Sequence, residues 1–112
     1  MFNPQLITNK VVRRFSISEN SINDGWCYYW AYFFYKKYGG KLWTTSYFGG
    51  HAFNKLNNKF YDSKHPNGVT DWRHLAKEKH VHNSPIDYAK QQSEQEFVKY
   101  WSTHGDLDPI KL

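Results

Sequence analysis

The segment from Trp26 to Tyr38 constrains the fold more than any other part of the sequence, because nine of its thirteen residues are aromatic. Lys36 and Lys37 are followed by Gly39-Gly40, the pattern of a helix with cations in its last turn and glycine beyond it. At about 3.6 residues per turn, one face is formed by Cys27, Trp30, Ala31, Phe34 and Tyr38. Aromatic side chains also fill most of the remaining circumference. We therefore predict a helix that is buried on most sides, with Cys27 in its first turn.

The composition points to one small folded domain. Aromatic residues make up 20% of the 112 residues, which excludes intrinsic disorder, because their burial repays the entropy of ordering the chain. We expect a single domain with an arm over residues 1–24, a catalytic-type core over 25–75 and a helical segment over 76–112. The single cysteine excludes an internal disulfide and a cysteine-based zinc site. No run approaches ~20 apolar residues and no signal-peptide pattern is present, so we expect a cytoplasmic protein.

The charge is unevenly distributed along the chain. The net charge is +5, and residues 25–64 contain six lysines against one acid, Asp62. Such a basic region is suited to an anionic partner such as an acidic protein. A nucleic-acid partner is disfavoured because the sequence has no arginine-rich cluster or nucleic-acid-binding motif. The sequence does not indicate an oligomeric state.

Three stretches after the aromatic helix have the composition of strands. Residues 41–48 are rich in β-forming residues, as are residues 51–56 and 59–63. The last two flank Asn57-Asn58, which can form a two-residue turn because asparagine tolerates positive φ. We therefore predict a strand followed by a β-hairpin.

The remaining segments complete an α+β fold. We predict a short strand or an irregular arm within residues 1–24, and a turn over residues 65–68. The last helix begins either at Ser84 or at Ser93, where Glu96 three residues later makes a capping box. The expected architecture is the aromatic helix packed on a small antiparallel sheet and closed by the carboxyl-terminal helix.

The hairpin register brings His51 and Asp62 together. With the two-residue turn, Phe53 faces Asp62, and His51 becomes a diagonal neighbour of Asp62 on the same face of the sheet. Diagonal neighbours lie about 7–8 Å apart at their backbones, a gap that longer side chains bridge. Phe60 shares this face with Phe53, so we expect it to be the core face, covered by the helix that carries Cys27.

These three residue types in this arrangement indicate nucleophilic catalysis. A thiolate is the reactive form of cysteine, and both a helix amino terminus and a nearby imidazolium stabilise it. His51 would act as general base and acid, and Asp62 would orient His51. The Cys27 backbone N–H would be one oxyanion donor. The predicted second oxyanion donor and substrate-cleft residues are Asn20, Asn23, Trp26, Asp71 and Trp72.

The order of these residues resembles the papain-like cysteine hydrolase superfamily, especially its transglutaminase-like and bacterial cell-wall endopeptidase branches. The similar stretches are residues 24–31, residues 50–53 and the strand that ends at Asp62. The resemblance implies a papain-like core, with Cys27 as nucleophile, His51 as base and Asp62 as the residue that orients it. It implies no metal and no organic cofactor.

Two functions from different classes follow. The first is a small cysteine peptidase or amidase, with transglutaminase-like acyl transfer as a variant, acting on a peptide or amide substrate. The second is a non-catalytic binding protein on the same fold, of the kind found among phage and mobile-element products, which engages a protein or nucleic acid through a basic aromatic surface. A metal site at His80 and His82 is weaker, because no cysteine or carboxylate stands at ligand spacing. A lone cysteine in an aromatic helix is also compatible with an inert core residue.

Overall fold

The fold is α+β, with helices packed against one antiparallel sheet in the residues described. The computed structural model describes residues 1–45, 50–75 and 89–112. The α-helices are α1 (Gln5–Phe15), α2 (Cys27–Tyr38) and α3 (Glu94–His104). The strands are β1 (Lys41–Thr45), β2 (Ala52–Leu56), β3 (Lys59–Asp62), β4 (His65–Val69) and β5 (Ala89–Gln92). The sheet has the order β4-β3-β2-β1-β5. Of the helices in these ranges, none combines the length and apolarity needed to cross a membrane.

The aromatic helix α2 is the centre of the main core, as predicted. Every residue from Cys27 to Phe34 is buried, and Gly39 follows the last turn. Two polar bonds dock the helix to its neighbours. Asn54 of β2 donates to the Ala31 carbonyl at 2.8 Å, and the Trp30 indole donates to Thr8 of α1 at 2.9 Å. Aromatic burial therefore places the helix, and the two buried hydrogen bonds set its position against the sheet and against α1.

The predicted hairpin is confirmed, including its register. Leu56 pairs with Lys59, and Asn54 pairs with Tyr61. Asn57 and Asn58 have φ of 52° and 66°, the left-handed values that a type I′ turn requires at both positions. The turn chemistry thus fixes which residues of β2 and β3 lie side by side.

The face predicted to contact α2 is wrong. Phe53 and Phe60 lie in a second core cluster with Leu75, against which Trp43 and Trp72 pack. Helix α2 instead packs on the opposite face, with Leu42, Ala52 and Tyr61. Both faces of the sheet are buried, so large apolar residues occur on both, and alternation alone could not identify the face that the helix covers.

Residues 5–15 form a helix, so the predicted strand or irregular arm is wrong. Ile7 and Val11 are spaced one helical turn apart and both are buried, and Arg13 and Arg14 lie in the last turn. Ser16 ends the helix in a left-handed conformation. The apolar residues of this segment fit a helical period, which the prediction overlooked in favour of their β-branched character.

The turn predicted over residues 65–68 is strand β4. The chain reverses two residues earlier, at residues 63–64, and His65 pairs with Asp62. Pro66 is tolerated because β4 is the edge strand of the sheet formed by the described residues. Gly68 has φ of 79°, and a Cβ there would clash with the ring of Tyr61.

The last helix begins after Ser93, which confirms one of its two predicted starts. The Ser93 side chain accepts from the Glu96 N–H, and the Glu96 carboxylate accepts from the Ser93 N–H. The alternative start at Ser84 lies outside the described residues. Strand β5, just before this helix, was not predicted, because its polar residues form an edge strand without an apolar pattern. The predicted strand over 41–48 is observed as β1, and residues 46–49 lie outside the described part.

We expect Ser93→Ala to lower the free energy of unfolding by about 1 kcal/mol, because it removes the cap of α3. Urea denaturation followed by circular dichroism measures this change. Ser102→Ala is the matched control on the exposed face of the same helix, and its effect should stay within about 0.5 kcal/mol. Equal losses in the two variants would contradict a stabilising role for the capping box.

Candidate active site

Cys27 is the first residue of α2 and lies at the base of a surface cleft. Gly25, two residues earlier, has φ of 115°, a value that favours glycine and lets the chain enter the helix there. The Cys27 side chain is buried, with 3% of the residue exposed. Its place in the first turn puts it in the positive end of the helix dipole, an environment that stabilises a thiolate.

His51 is held rigidly at the entrance to β2. Its backbone N–H donates to the Thr45 hydroxyl at 2.8 Å, and its carbonyl accepts from the Thr45 N–H at 3.0 Å. The ring is fully buried and stacks on Phe53, with ring centroids 5.8 Å apart. Backbone and ring contacts together leave the imidazole one orientation.

Asp62, the last residue of β3, binds His51 as the hairpin register predicts. The two side chains are joined by a bond of 2.9 Å between His51 Nε2 and Asp62 Oδ2, and both are almost wholly buried. The other carboxylate oxygen, Oδ1, accepts from the Lys64 N–H at 3.0 Å and bonds His65 Nδ1 at 2.7 Å. The buried carboxylate therefore has a partner on each oxygen.

Cys27 lies beside the His51 ring. Burial alone lowers the pKa of His51, but hydrogen bonding to Asp62 and the neighbouring Cys27 outweigh it and raise the pKa to about 9. Nδ1 of His51 has no nitrogen or oxygen partner among the described residues, and Cys27 is the side chain besides Asp62 that hydrogen-bonds to His51. Because Nε2 is taken by Asp62, Nδ1 is the nitrogen that can exchange a proton with the thiol.

The Asp62 carboxylate stays ionised despite its burial. Burial raises its pKa, but hydrogen bonds and charge from His51 and His65 lower the pKa well below the ordinary value. At neutral pH, His51 and Asp62 therefore form an imidazolium–carboxylate pair. An imidazolium next to Cys27 favours the thiolate, the reactive form of the nucleophile.

The cleft has a volume of about 490 Å³ and opens between the start of α2 and the end of α3. Its described lining consists of Asn23, Asp24, Gly25, Cys27, Tyr28, Gly50, Tyr100, Trp101, His104, Gly105 and Asp106. Tyr28 stacks on Trp101, with centroids 5.1 Å apart, which forms one wall. Gly50 places the cleft directly beside His51. The cleft therefore adjoins Cys27 and the residue that precedes His51.

Asn23 is the predicted oxyanion residue that lines this cleft. It is buried, and its side-chain oxygen accepts a hydrogen bond from the Ser63 hydroxyl at 3.4 Å. The hydrogen-bond donor of this side chain is its amide nitrogen. Asn20 is exposed in the short 3₁₀ helix Glu19–Ser21 and does not line the cleft. Of the two predicted asparagines, Asn23 is therefore the one that lines the cleft.

The other three predicted cleft residues lie elsewhere. Trp26 lines a separate pocket of about 270 Å³. Asp71 pairs with Arg73, and Trp72 packs in the second core cluster, with its ring centroid 6.5 Å from that of Phe53. None of the three is among the described residues that line the cleft. Asp71 and Trp72 follow β4, and Trp72 packs on the sheet face opposite α2.

Sequence reasoning missed His65 and the end of α3. His65 was interpreted as part of a turn, although its spacing of three residues from Asp62 would have indicated contact once the reversal was placed at residues 63–64. Tyr100, Trp101 and His104 reach the cleft only because α3 packs beside α2, and no sequence signal reports that contact.

The described ranges contain no group of three histidine, cysteine or carboxylate side chains arranged to hold a metal ion. His80 and His82, the weaker metal hypothesis, lie outside those ranges.

We expect the stability of the fold to fall as pH rises from 6.5 through about 9. His51 has a raised pKa in the folded protein, so its contribution is complete below 6.5 and is lost as the ring deprotonates near 9. The Asp62 contribution is present above 3.8 and is lost as pH falls below that value. Urea unfolding across this range measures the effect. The alkaline fall should be absent in His51→Gln and retained in His104→Gln, which removes an exposed histidine. A fall of equal size in His51→Gln would contradict this origin.

Comparison with known proteins finds no family model, no curated protein and no solved structure that matches this chain. The similarity to papain-like cysteine hydrolases stays a prediction from the residues around Cys27, His51 and Asp62.

Proposed function

We propose that this protein is a small cysteine hydrolase with a papain-like core, which cleaves an amide or thioester bond. One observation carries the proposal: a buried His51–Asp62 pair at 2.9 Å lies beside Cys27, at a cleft that reaches solvent. The order of elements agrees with it, since the cysteine begins a helix, the histidine precedes a strand and the aspartate ends the next strand. This arrangement supports the proposed roles of Cys27 as nucleophile, His51 as base and Asp62 as the residue that orients His51.

The reaction would proceed through an acyl-enzyme. The Cys27 thiolate attacks the substrate carbonyl carbon and forms a C–S bond, while the carbonyl electrons move to oxygen. When the tetrahedral intermediate collapses, the imidazolium of His51 donates its proton to the leaving amine. His51 then takes a proton from water, which attacks the thioester and releases the acid and the thiolate. Asp62 keeps the His51 ring in place through both steps.

Two groups are suited to the developing oxyanion. The backbone N–H of Cys27 belongs to the first turn of α2, where amide hydrogens point out of the helix. The Asn23 amide lines the same cleft. If an amine replaces water in the second half of the reaction, the same site performs transglutaminase-like acyl transfer. The aromatic wall from Tyr28 and Trp101 would limit access of water and orient the acyl group.

We expect iodoacetamide to label Cys27 at pH 6 roughly tenfold faster than an unperturbed thiol, because an ion pair with His51 keeps the sulfur ionised. Mass spectrometry of the intact protein over time gives the rate. His51→Ala and Asp62→Asn should slow the labelling to the rate of an ordinary thiol. His74→Ala, which removes an exposed histidine, should leave it unchanged. Labelling of native Cys27 at the ordinary rate would refute the hydrolase proposal.

A second candidate function, acidic-partner binding, is favoured by a groove on another side of the molecule. The groove has a volume of about 790 Å³, and its floor includes Tyr32 and Phe33 of α2. Three lysines border it: Lys10, Lys36 and Lys99. The Lys10 ammonium lies 4.3 Å from the centroid of the Phe33 ring. Lys36 pairs at 3.6 Å with Glu94, which also lines the groove, so this candidate function rests on Lys10 and Lys99. Their charges beside an aromatic floor suit an amphipathic segment with acidic side chains at its edges.

We expect a fluorescent amphipathic peptide of leucine and glutamate to bind this groove, with affinity that weakens as salt rises. Fluorescence anisotropy measures the dissociation constant. The double variant Lys10→Glu and Lys99→Glu should weaken binding about tenfold or more, because it replaces attraction with repulsion. Lys59→Glu is the control, since this exposed lysine lies on the hairpin. If both variants weaken binding equally, the groove is not the binding site.

A further inference from the structure

We infer that His65 is a positioning residue for the Cys27–His51–Asp62 site, acting through the Asp62 carboxylate. The inference deepens the proposed hydrolase function and rests on it. His65 begins β4 and pairs with Asp62 across the two-residue reversal. The site is thus a line of four side chains in which Asp62 stands between two imidazoles.

The geometry gives each oxygen of Asp62 a separate task. Oδ1 bonds His65 Nδ1 at 2.7 Å and accepts from the Lys64 N–H at 3.0 Å, whereas Oδ2 bonds His51 Nε2 at 2.9 Å. The torsion that turns a carboxylate is broad, so one bond alone would hold it loosely. Two bonds on Oδ1 fix the plane of the group. Oδ2 is thereby aimed at His51.

The local backbone supports this arrangement. The register between β3 and β4 shifts between Phe60 and Asp62, which is the irregularity of a β-bulge. Bulges re-aim side chains at the ends of paired strands. Here the irregularity accompanies the inward direction of Asp62, whose side chain is 2% exposed, while that of His65 is 16% exposed. The strand reversal therefore supplies both the buried carboxylate and the imidazole that braces it.

The bond from His65 is available whether or not this ring is charged. Both the cation and the neutral tautomer with hydrogen on Nδ1 donate from that atom. Asp62 is ionised and can only accept. His65 therefore donates to Oδ1, and His51 donates to Oδ2 through Nε2. This leaves Nδ1 of His51 as the atom for proton exchange with Cys27.

The test compares His65→Leu with His65→Asn. Leucine removes the donor, whereas asparagine places its amide nitrogen one bond from Cγ, as Nδ1 is in histidine. We expect His65→Leu to slow iodoacetamide labelling of Cys27 at pH 6 about tenfold, the value of one hydrogen bond to a charged group. It should also change the pH profile of labelling. His65→Asn should restore both, and His74→Leu should change neither.

A second measurement does not depend on the reactivity of Cys27. Nuclear magnetic resonance of the protein with ¹⁵N-labelled histidine reports the Nε2–H proton of His51, which its bond to Asp62 moves downfield. We expect this signal to shift or broaden in His65→Leu and to return in His65→Asn. Thermal unfolding of each variant shows that the protein measured is folded.

The outcomes separate the two proposals. In one outcome, native Cys27 is labelled slowly, but the Nε2–H signal of His51 changes in His65→Leu. This outcome would refute the hydrolase proposal and support the positioning role. In the other outcome, native Cys27 is labelled fast in a way that depends on His51, but His65→Leu changes neither the labelling rate, nor its pH profile, nor the His51 signal. This outcome would refute the positioning role alone. If His65→Asn failed to restore the Nε2–H signal of His51, this result would also contradict the positioning role. A hydrogen-bond donor at position 65 would then not be enough to hold Asp62.

Discussion

The buried bond between His51 and Asp62 is the interaction on which the rest of the structure depends. Two charged groups removed from water are tolerated only if each is paired and their remaining atoms are satisfied, and removing one partner of such a pair typically costs about 3–5 kcal/mol. Asp62 meets this condition through the Lys64 N–H and His65. The His51 backbone is clamped to Thr45. This demanding pair lies beside Cys27, as the proposed hydrolase function requires.

The sheet is what makes this site possible, because it is buried on both sides. Helix α2 covers one face, and the second cluster around Phe53 covers the other. The His51 ring lies against Phe53 while Cys27 approaches from the start of α2. The site therefore lies at one end of the sheet, where groups from both layers meet. The carboxyl-terminal end of α3 completes the cleft there, through Trp101 stacked on Tyr28.

Much of the geometry of the candidate site follows from short-range rules. The aromatic run with glycine beyond it predicted α2, and the Asn57-Asn58 turn predicted the register that joins His51 to Asp62. The capping box predicted the start of α3. The predictions failed for two segments whose apolar patterns were ambiguous. The β-branched residues of α1 suggested a strand, and polar β5 carries no apolar alternation.

The sequence by itself determined the helix that begins at Cys27 and the hairpin register that pairs His51 with Asp62, because turn type and the periods of helix and strand are local properties of the chain. Only the tertiary structure decided which sheet face α2 covers, that His65 braces Asp62, and that α3 rather than Asp71 and Trp72 borders the cleft. These depend on contacts between residues far apart in sequence. An apolar pattern indicates that a surface is buried, but it does not identify the element that covers it.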